Sequence, residues 1–352
     1  MLDVHSNIVY ILTEKEGSMV TEQAAAAADR SHIQLGPPGS LRLTSLSRKD
    51  CARIHEASLE LLAGTGVVVT SKKAQAVFAD HGATVDNTDN RVYLPAALIE
   101  KALATIPSEI TIAGRTPDRD YVMGGDRLGF VNFGSTVWLN DLNTGKRRKA
   151  LAKDVIEVTR VMDTLDSIKI LISMLNATDE SPVTETLHTL AASLANTTKP
   201  VEAMPPTANL IPKMALMGEA AVGKEAFRQR PFFFTGVCVV SPLQLVDDCS
   251  EVLMAAVEHG FTTSVLSMCL AGGTSPVHLA GTVVQHNAEV LSGLTLGQLV
   301  RPGAQMFYSS STTSLDMRYG MAAVGAPEGA VLNAALAQMG QYYHIPVRVS
   351  GG

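Results

Sequence analysis

Three acids stand where they could hold a small cation or move a proton. Asp179 follows the apolar run 168–175, Glu202 sits inside the run 200–204, and Asp316 comes shortly after the run 305–308. A carboxylate at such a place can balance an ammonium charge or act as a general acid or base. Glu202 is the strongest of the three, because Pro200 and Pro205 confine it to a short extended stretch. A structural ion pair or a helix-capping contact explains it equally well. The segment SSSTTSLDMRYG, 309–320, puts hydroxyls, an acid and an arginine directly after a run, in the manner of a binding loop; Ser309 and Arg318 join Asp316 there as candidates. Ser350 and Gly351 hold the equivalent place after the last run, 346–349. Asp316 and Glu202 are therefore the candidates for proton or charge handling, and Asp179, Ser309, Arg318, Ser350 and Gly351 for substrate binding. His278, His286 and Glu289 share one helical stretch, and Cys238 and Cys269 follow neighbouring runs. Neither set has metal-ligand spacing, so no metal site is expected.

These residues depend on a regular rhythm for their placement. From Asp154 onward, helices of about 10 to 20 residues alternate with short apolar runs, the pattern of a parallel sheet buried on both faces. Six runs (168–175, 200–204, 231–240, 263–270, 305–308 and 346–349) are separated by five helices. No GxGxxG follows the first run, where Asn176-Ala177-Thr178-Asp179 stands, so a dinucleotide-binding sheet has no signature. The alternative is an α/β TIM (β/α)8 barrel, here incomplete with about six strands and needing two more. Such barrels carry their chemistry at the C-terminal strand ends, where all of the candidates above lie. Ahead of this barrel, 155–352, the sequence predicts a loose arm over 1–42 and an extension over 43–154. The extension holds helices capped near Ser47, at 72–80 and after Pro95. It then turns to a small antiparallel section, with strands at 110–113 and 128–139 and a turn through DLNTG into 146–150.

Composition narrows the function. The chain is 46% apolar and 18% charged with a net charge of −6, values of an ordinary soluble globular protein. Its one basic cluster, Lys146 to Lys149, reads as a solvated hairpin edge, so nucleic acid is not expected as a partner. No apolar stretch reaches about 18 residues, and the N-terminus lacks a signal-peptide pattern. Four cysteines without CxxC spacing suit a reducing compartment, and a cytoplasmic location is expected.

Specific wording adds to this. RIHEASLELLAGTGVVV (53–69), ITIAGRTPDRDYVMGG (110–125), WLNDLNTGKRRKALAKDV (138–155), SPLQL (241–245), LAGGTSPVHLAGTVVQHNAEVLSGLTLGQLVRPGA (270–304) and DMRYG (316–320) together resemble the trimethylamine methyltransferase family, from about Leu43 to the last residue. The resemblance implies a TIM barrel with an N-terminal extension and transfer of a methyl group from trimethylamine to the Co(I) corrinoid of a partner protein. It implies that this chain binds no cofactor itself and that the corrinoid, or cobalamin, belongs to the partner. The partners are then a cognate corrinoid protein and a small methylated amine, with no membrane, in a complete protein expected to be a homo-oligomer. Family members acting on trimethylamine carry pyrrolysine, encoded by UAG, and the resemblance places it just after Gly352. Other members lack it and act on quaternary amines such as glycine betaine, for which Arg318 would meet the carboxylate. The different-class alternative is an inactive truncated fragment that at most binds the corrinoid protein.

Overall fold

The computed structural model describes residues 32–35, 41–125 and 127–351. Its centre is a seven-stranded sheet, numbered here in chain order: β1 (Phe130–Val131), β2 (Ile168–Ile172), β3 (Val201–Ala203), β4 (Phe233–Val239), β5 (Thr263–Ser267), β6 (Met306–Ser310) and β7 (Val347–Val349). The strands lie side by side in this same order and every neighbouring pair is parallel. Six of them are the six apolar runs of the sequence. The seventh, β1, comes from the extension.

That seventh strand corrects the expected antiparallel strand over 128–139. The stretch is divided, and two glycines are the reason. A Cβ on Gly129 would lie 2.6 Å from the Tyr121 ring, and one on Gly134 would lie 2.6 Å from the Ser173 carbonyl oxygen. Between them, Phe130 and Val131 pair with β2. Only Trp138–Asn140 forms the expected hairpin, with Arg147–Lys149. Seven parallel strands leave the sheet one short of an eight-stranded barrel rather than two, with β1 and β7 at its edges.

Alternation along the strands builds two apolar layers. Val201, Phe233, Val237, Val265, Met306 and Tyr308 face outward into the main core beneath the helices. Ile170, Phe234 and Phe307 belong to a separate inner cluster, with Ile110, Ile112 and Met123 from the hairpin Glu109–Ile112 and Tyr121–Gly124. That hairpin plugs the sheet interior, and each aromatic ring buried there contributes about 1.5–3 kcal/mol.

Helix Arg48–Gly64 begins at Ser47, whose Oγ accepts from the Asp50 amide while the Asp50 carboxylate accepts from Ser47, a reciprocal cap. It packs with helices Lys72–Asp80 and Ala96–Leu103 on the long helix Leu279–Val300. The long helix also lies on β5 and β6, so it is buried on nearly every side from Thr282 to Gln298. Most of its polar residues are consequently partnered inside the protein, Thr295 Oγ1 and His286 Nε2 being exceptions. Asn287, for instance, donates to Ser58 Oγ and Tyr343 Oη, tying the extension to the barrel. The extension also reaches the strand-end face, because Val67–Val69 pairs in parallel with Gln244–Leu245 in the loop after β4.

The basic cluster forms a hairpin edge, yet Arg148 is engaged: it bonds Asp141 at 2.8 Å and both carboxylate oxygens of Asp154 at 2.7 and 2.8 Å. Most of the 1–42 arm lies outside the described residues; within it, His32–Leu35 pairs antiparallel with Leu41–Thr44. Among the described residues no helix is long and apolar enough to cross a membrane.

Candidate active site at the strand ends

Glu202, on β3, points into the barrel and is fully buried. Its carboxylate is already paired. Arg348 of β7 donates to both oxygens, by Nη1 to Oε2 and by Nη2 to Oε1 at 3.1 Å, and Ser264 Oγ of β5 donates to Oε1 at 2.8 Å. The Arg348 guanidinium also lies 5.3 Å from the centre of the Phe307 ring. Gly236 on β4 makes room, since a Cβ there would stand 2.5 Å from Glu202 Oε1 and 2.4 Å from Ser264 Oγ. The arrangement matches the structural ion pair that the sequence left open for Glu202. It spans the barrel interior from the third strand to the seventh, above the apolar plug.

The other predicted residues separate. Asp179 is exposed, and its Oδ1 accepts from the Ala152 amide at 2.8 Å, capping helix Ala152–Asp163. Asp316 closes a turn by accepting from the amides of Arg318 and Tyr319 at 2.9 and 3.2 Å. Arg318 is exposed and rests on the Tyr319 ring. Ser309 is buried, and its Oγ has no hydrogen-bond partner among the described residues. Ser350 and Gly351 do come together at the mouth. They line a cavity of about 70 Å3 with Phe133, Met268, Ser311 and Asn333, and the Ser350 amide donates to Ser310 at 3.0 Å. Asp179, Asp316 and Arg318 are absent from its walls.

Behind one wall lies a buried carboxylate that the sequence had placed only in a dismissed metal set. Glu289, on the long helix, is fully buried. Its Oε2 accepts from Ser241 Oγ at 2.7 Å, from Ser267 Oγ, and from Cys269 Sγ at 3.2 Å; its Oε1 accepts from the Leu243 amide and from Gln285 Nε2, both at 2.9 Å. Four groups from the ends of β4 and β5, and Gln285 one turn away on the same helix, thus meet one acid. Burial, reinforced by Glu289, pushes the Cys269 thiol up to about 12 and the Cys238 thiol up to about 11, so neither is a ready nucleophile. His286, one turn earlier, is buried against Tyr308 with Nδ1 2.7 Å from Thr312 Oγ1, and burial pushes it down to about 3. Among the described residues, no three His, Cys, Asp or Glu side chains gather as a metal site.

A larger cavity, about 430 Å3, opens at the opposite pole between the starts of β4, β5 and β6, and three of its lining residues are Arg228, Arg230 and Arg301. Arg230 is held by Asp120 and the Gly114 carbonyl, and Arg301 by the Val257 carbonyl near the end of helix Asp247–Glu258. These arginines serve helix ends and a plug loop, on the face where barrels place stability rather than chemistry.

Met268 and Ser311 lie at strand ends where the rhythm of the sequence places the mouth; sequence reasoning missed Asn333 and Arg348. The signal for Arg348 was its parity: it lies two residues before Ser350 in a run, so both face inward, and a charge there needs a buried counter-charge.

Comparison with known proteins places this geometry. The family model for trimethylamine methyltransferase (MTTB) matches residues 16–352. Trimethylamine methyltransferase MttB of Desulfitobacterium hafniense (strain DSM 10664 / DCB-2) is 38% identical over 326 residues, covering 92% of this chain and 66% of the relative. MttB of Methanosarcina barkeri (strain Fusaro / DSM 804) is 33% identical over 317 residues, 88% of this chain and 64% of the relative. A glycine betaine methyltransferase of D. hafniense (strain Y51) is 28% identical over 312 residues, 87% and 64%. This chain therefore spans just under two thirds of the length of these relatives. Among solved structures, the M. barkeri monomethylamine methyltransferase (MtmB) superposes with a TM-score of 0.51 at 12% identity, covering 86% of this chain and 67% of that one. That likeness concerns the fold and agrees with a TIM-type barrel. A family model running through the extension and all seven strands, with relatives above 30% identity over most of the chain, settles descent: the chain belongs to the trimethylamine methyltransferase family.

Proposed function

We propose that the protein of which this chain is part demethylates trimethylamine and passes the methyl group to the Co(I) corrinoid of a partner protein. The observation that carries the reading is the mouth cavity, a small chamber at the strand-end face of a chain from this family, bounded by Ser350 and Gly351. A chamber of about 70 Å3 suits a small branched amine and is far too small for a corrinoid ring. On this reading the cobalt is brought to the open face by its own protein, and no step at cobalt depends on side chains of this chain.

The chain's own part is positioning. Phe133 and Met268 offer apolar contact to methyl groups, and the hydroxyl of Ser311 offers a polar one. The Glu202–Arg348 pair fixes β7, and with it Ser350 and Gly351, at a set distance from β3. Holding a methyl carbon in line with an incoming nucleophile is the kind of orientation that supplies much of the gain in such transfers.

The test uses the complete protein with a cob(I)alamin acceptor, read by the spectral change from Co(I) to methyl-Co(III). Trimethylamine should drive the change and glycine betaine should not. The reverse result would favour the betaine reading, in which Arg318 would need to leave its exposed place on Tyr319. No change with any methylated amine would reject the proposal.

A further inference from the structure

We infer that Glu289 supplies the negative charge that holds a cationic amine at the barrel mouth, acting from behind the wall as a positioning residue. This rests on the mouth being the substrate site of the proposed reaction. Three acids are buried among the described residues: Asp154, Glu202 and Glu289. Asp154 is neutralised by Arg148 and Glu202 by Arg348. Glu289 meets only neutral donors, five of them, with no arginine, lysine or histidine in ion-pair contact among the described residues. The Leu243 amide and the Gln285 amide nitrogen can only donate, and the two hydroxyls and the thiol donate when the acid is ionised, so the site is built to accept a carboxylate whose charge has no counter-ion in contact.

That charge sits close to the chamber. Ser267 and Cys269, both bonded to Glu289, flank Met268, which lines the cavity, and the Cys269 amide donates at 3.1 Å to Thr312 Oγ1, another lining residue. With the hydroxyl hydrogens of Ser241 and Ser267 turned toward the acid, their remaining lone pairs face away from it. Half-buried Ser241 also lies 3.2 Å by its Oγ from both Ser267 Oγ and Cys269 Sγ, so the three groups and the acid form one cluster next to Met268. A trimethylammonium or quaternary ammonium ion, which donates little and carries a diffuse positive charge, is the ligand such a wall favours. Of the acids chosen from the sequence, Glu202 is already paired with Arg348, Asp179 is exposed and caps a helix, and Asp316 closes a turn.

The test compares binding of tetramethylammonium with that of tert-butanol, a neutral molecule of similar size and branching, to the complete protein by calorimetry. Glu289→Gln is the main variant. Its carboxamide oxygen can keep the Leu243 amide and Gln285, while the hydroxyls of Ser241 and Ser267 can reverse to accept from its NH2, so shape is retained and charge removed. A unit charge acting across ~10 Å at an effective dielectric of about 20 changes a binding constant by about fifteenfold, and a loss of tetramethylammonium affinity of that order is expected. Affinity for tert-butanol should not move, and Glu289→Asp should restore most of the cation binding. Equal losses for both molecules would reduce Glu289 to a structural weld between two loops and overturn the inference, as would a wild type with no preference for the cation. Should Glu289→Gln fail to fold, the wild-type preference and its retention in Glu289→Asp decide. If the charge pattern is found but no methyl reaches cobalt, the proposed activity fails and the inference stands. If methyl transfer proceeds and the Gln variant leaves the trimethylamine KM unchanged, the inference fails alone.

Discussion

His286 should make the protein acid-sensitive well above the range where carboxylates titrate. Burial against Tyr308 holds it neutral, down to about 3 from an ordinary 6.5, with the Ser309 backbone offsetting only part of the effect. In the unfolded chain it protonates near 6.5, so between these values the unfolded state binds the extra proton. Stability from this group is therefore complete above about 6.5 and is lost as pH falls toward 3. At pH 5 the loss is about 2 kcal/mol relative to pH 7, from 1.36 kcal/mol per unit of separation. His286→Phe removes the titration. Thr312 Oγ1, its present partner, still accepts from the Cys269 amide at 3.1 Å, so the variant should carry a constant offset with a flatter pH dependence. The assay is urea unfolding of both proteins at pH 7, 6 and 5. With a slope of about 3 kcal/mol per molar, the wild-type midpoint should fall by roughly 0.6 M more than that of the variant between pH 7 and 5. His55, also lowered by burial, is present in both and cancels. Parallel midpoints across the three pH values would refute the reasoning, because a histidine that titrates normally in the fold contributes no such difference.

Gly236→Ala should destabilise by about 1–3 kcal/mol, because its Cβ would press on Glu202 and Ser264 within a filled layer; an unchanged melting midpoint would contradict the packing there. Arg348→Met should cost about 3–5 kcal/mol by leaving Glu202 buried and unpaired, and adding Glu202→Leu to it should recover most of that loss, a double-mutant comparison read by denaturant unfolding. The 352-residue chain expressed alone should self-associate through the unpaired edges of β1 and β7, where Phe130 and Phe133 are exposed. Light scattering after size exclusion checks this, and a monodisperse monomer with a cooperative transition would argue against open edges.

The barrel rhythm was legible because each parallel strand is an apolar run bounded by turn residues and each intervening helix is long enough to show its period. All six runs became strands, and the helices after Ser47, at Lys72–Asp80 and at Pro327–Tyr342 fall where caps and spacing predict. β1 was not legible. Two residues carry no period, and its pairing depends on Gly129 and Gly134 fitting against Tyr121 and Ser173, contacts that no local pattern reveals. The helix Lys224–Gln229 was missed for a similar reason, being six residues with one buried side chain, Phe227.

The site was legible by position and obscure by charge. Ser350 and Gly351 reach the chamber because strand ends in this fold must surround one mouth. The acids are another matter, since what a carboxylate can do depends on its partner and not on its own place in a run. Glu202 had the right depth and parity, but Arg348, 146 residues away, takes both of its oxygens. Glu289 looked like part of a polar helix face, and the helix proved to be covered on nearly every side, so the acid turned inward to the loops after β4 and β5. A parallel barrel makes this exchange general. Its strands bring distant charges into one layer and cancel them in pairs, so the acid left with a net field at the mouth is the one whose neighbours are all neutral donors. In this chain that acid lies on a helix outside the sheet and acts through the serines and the thiol at the strand ends.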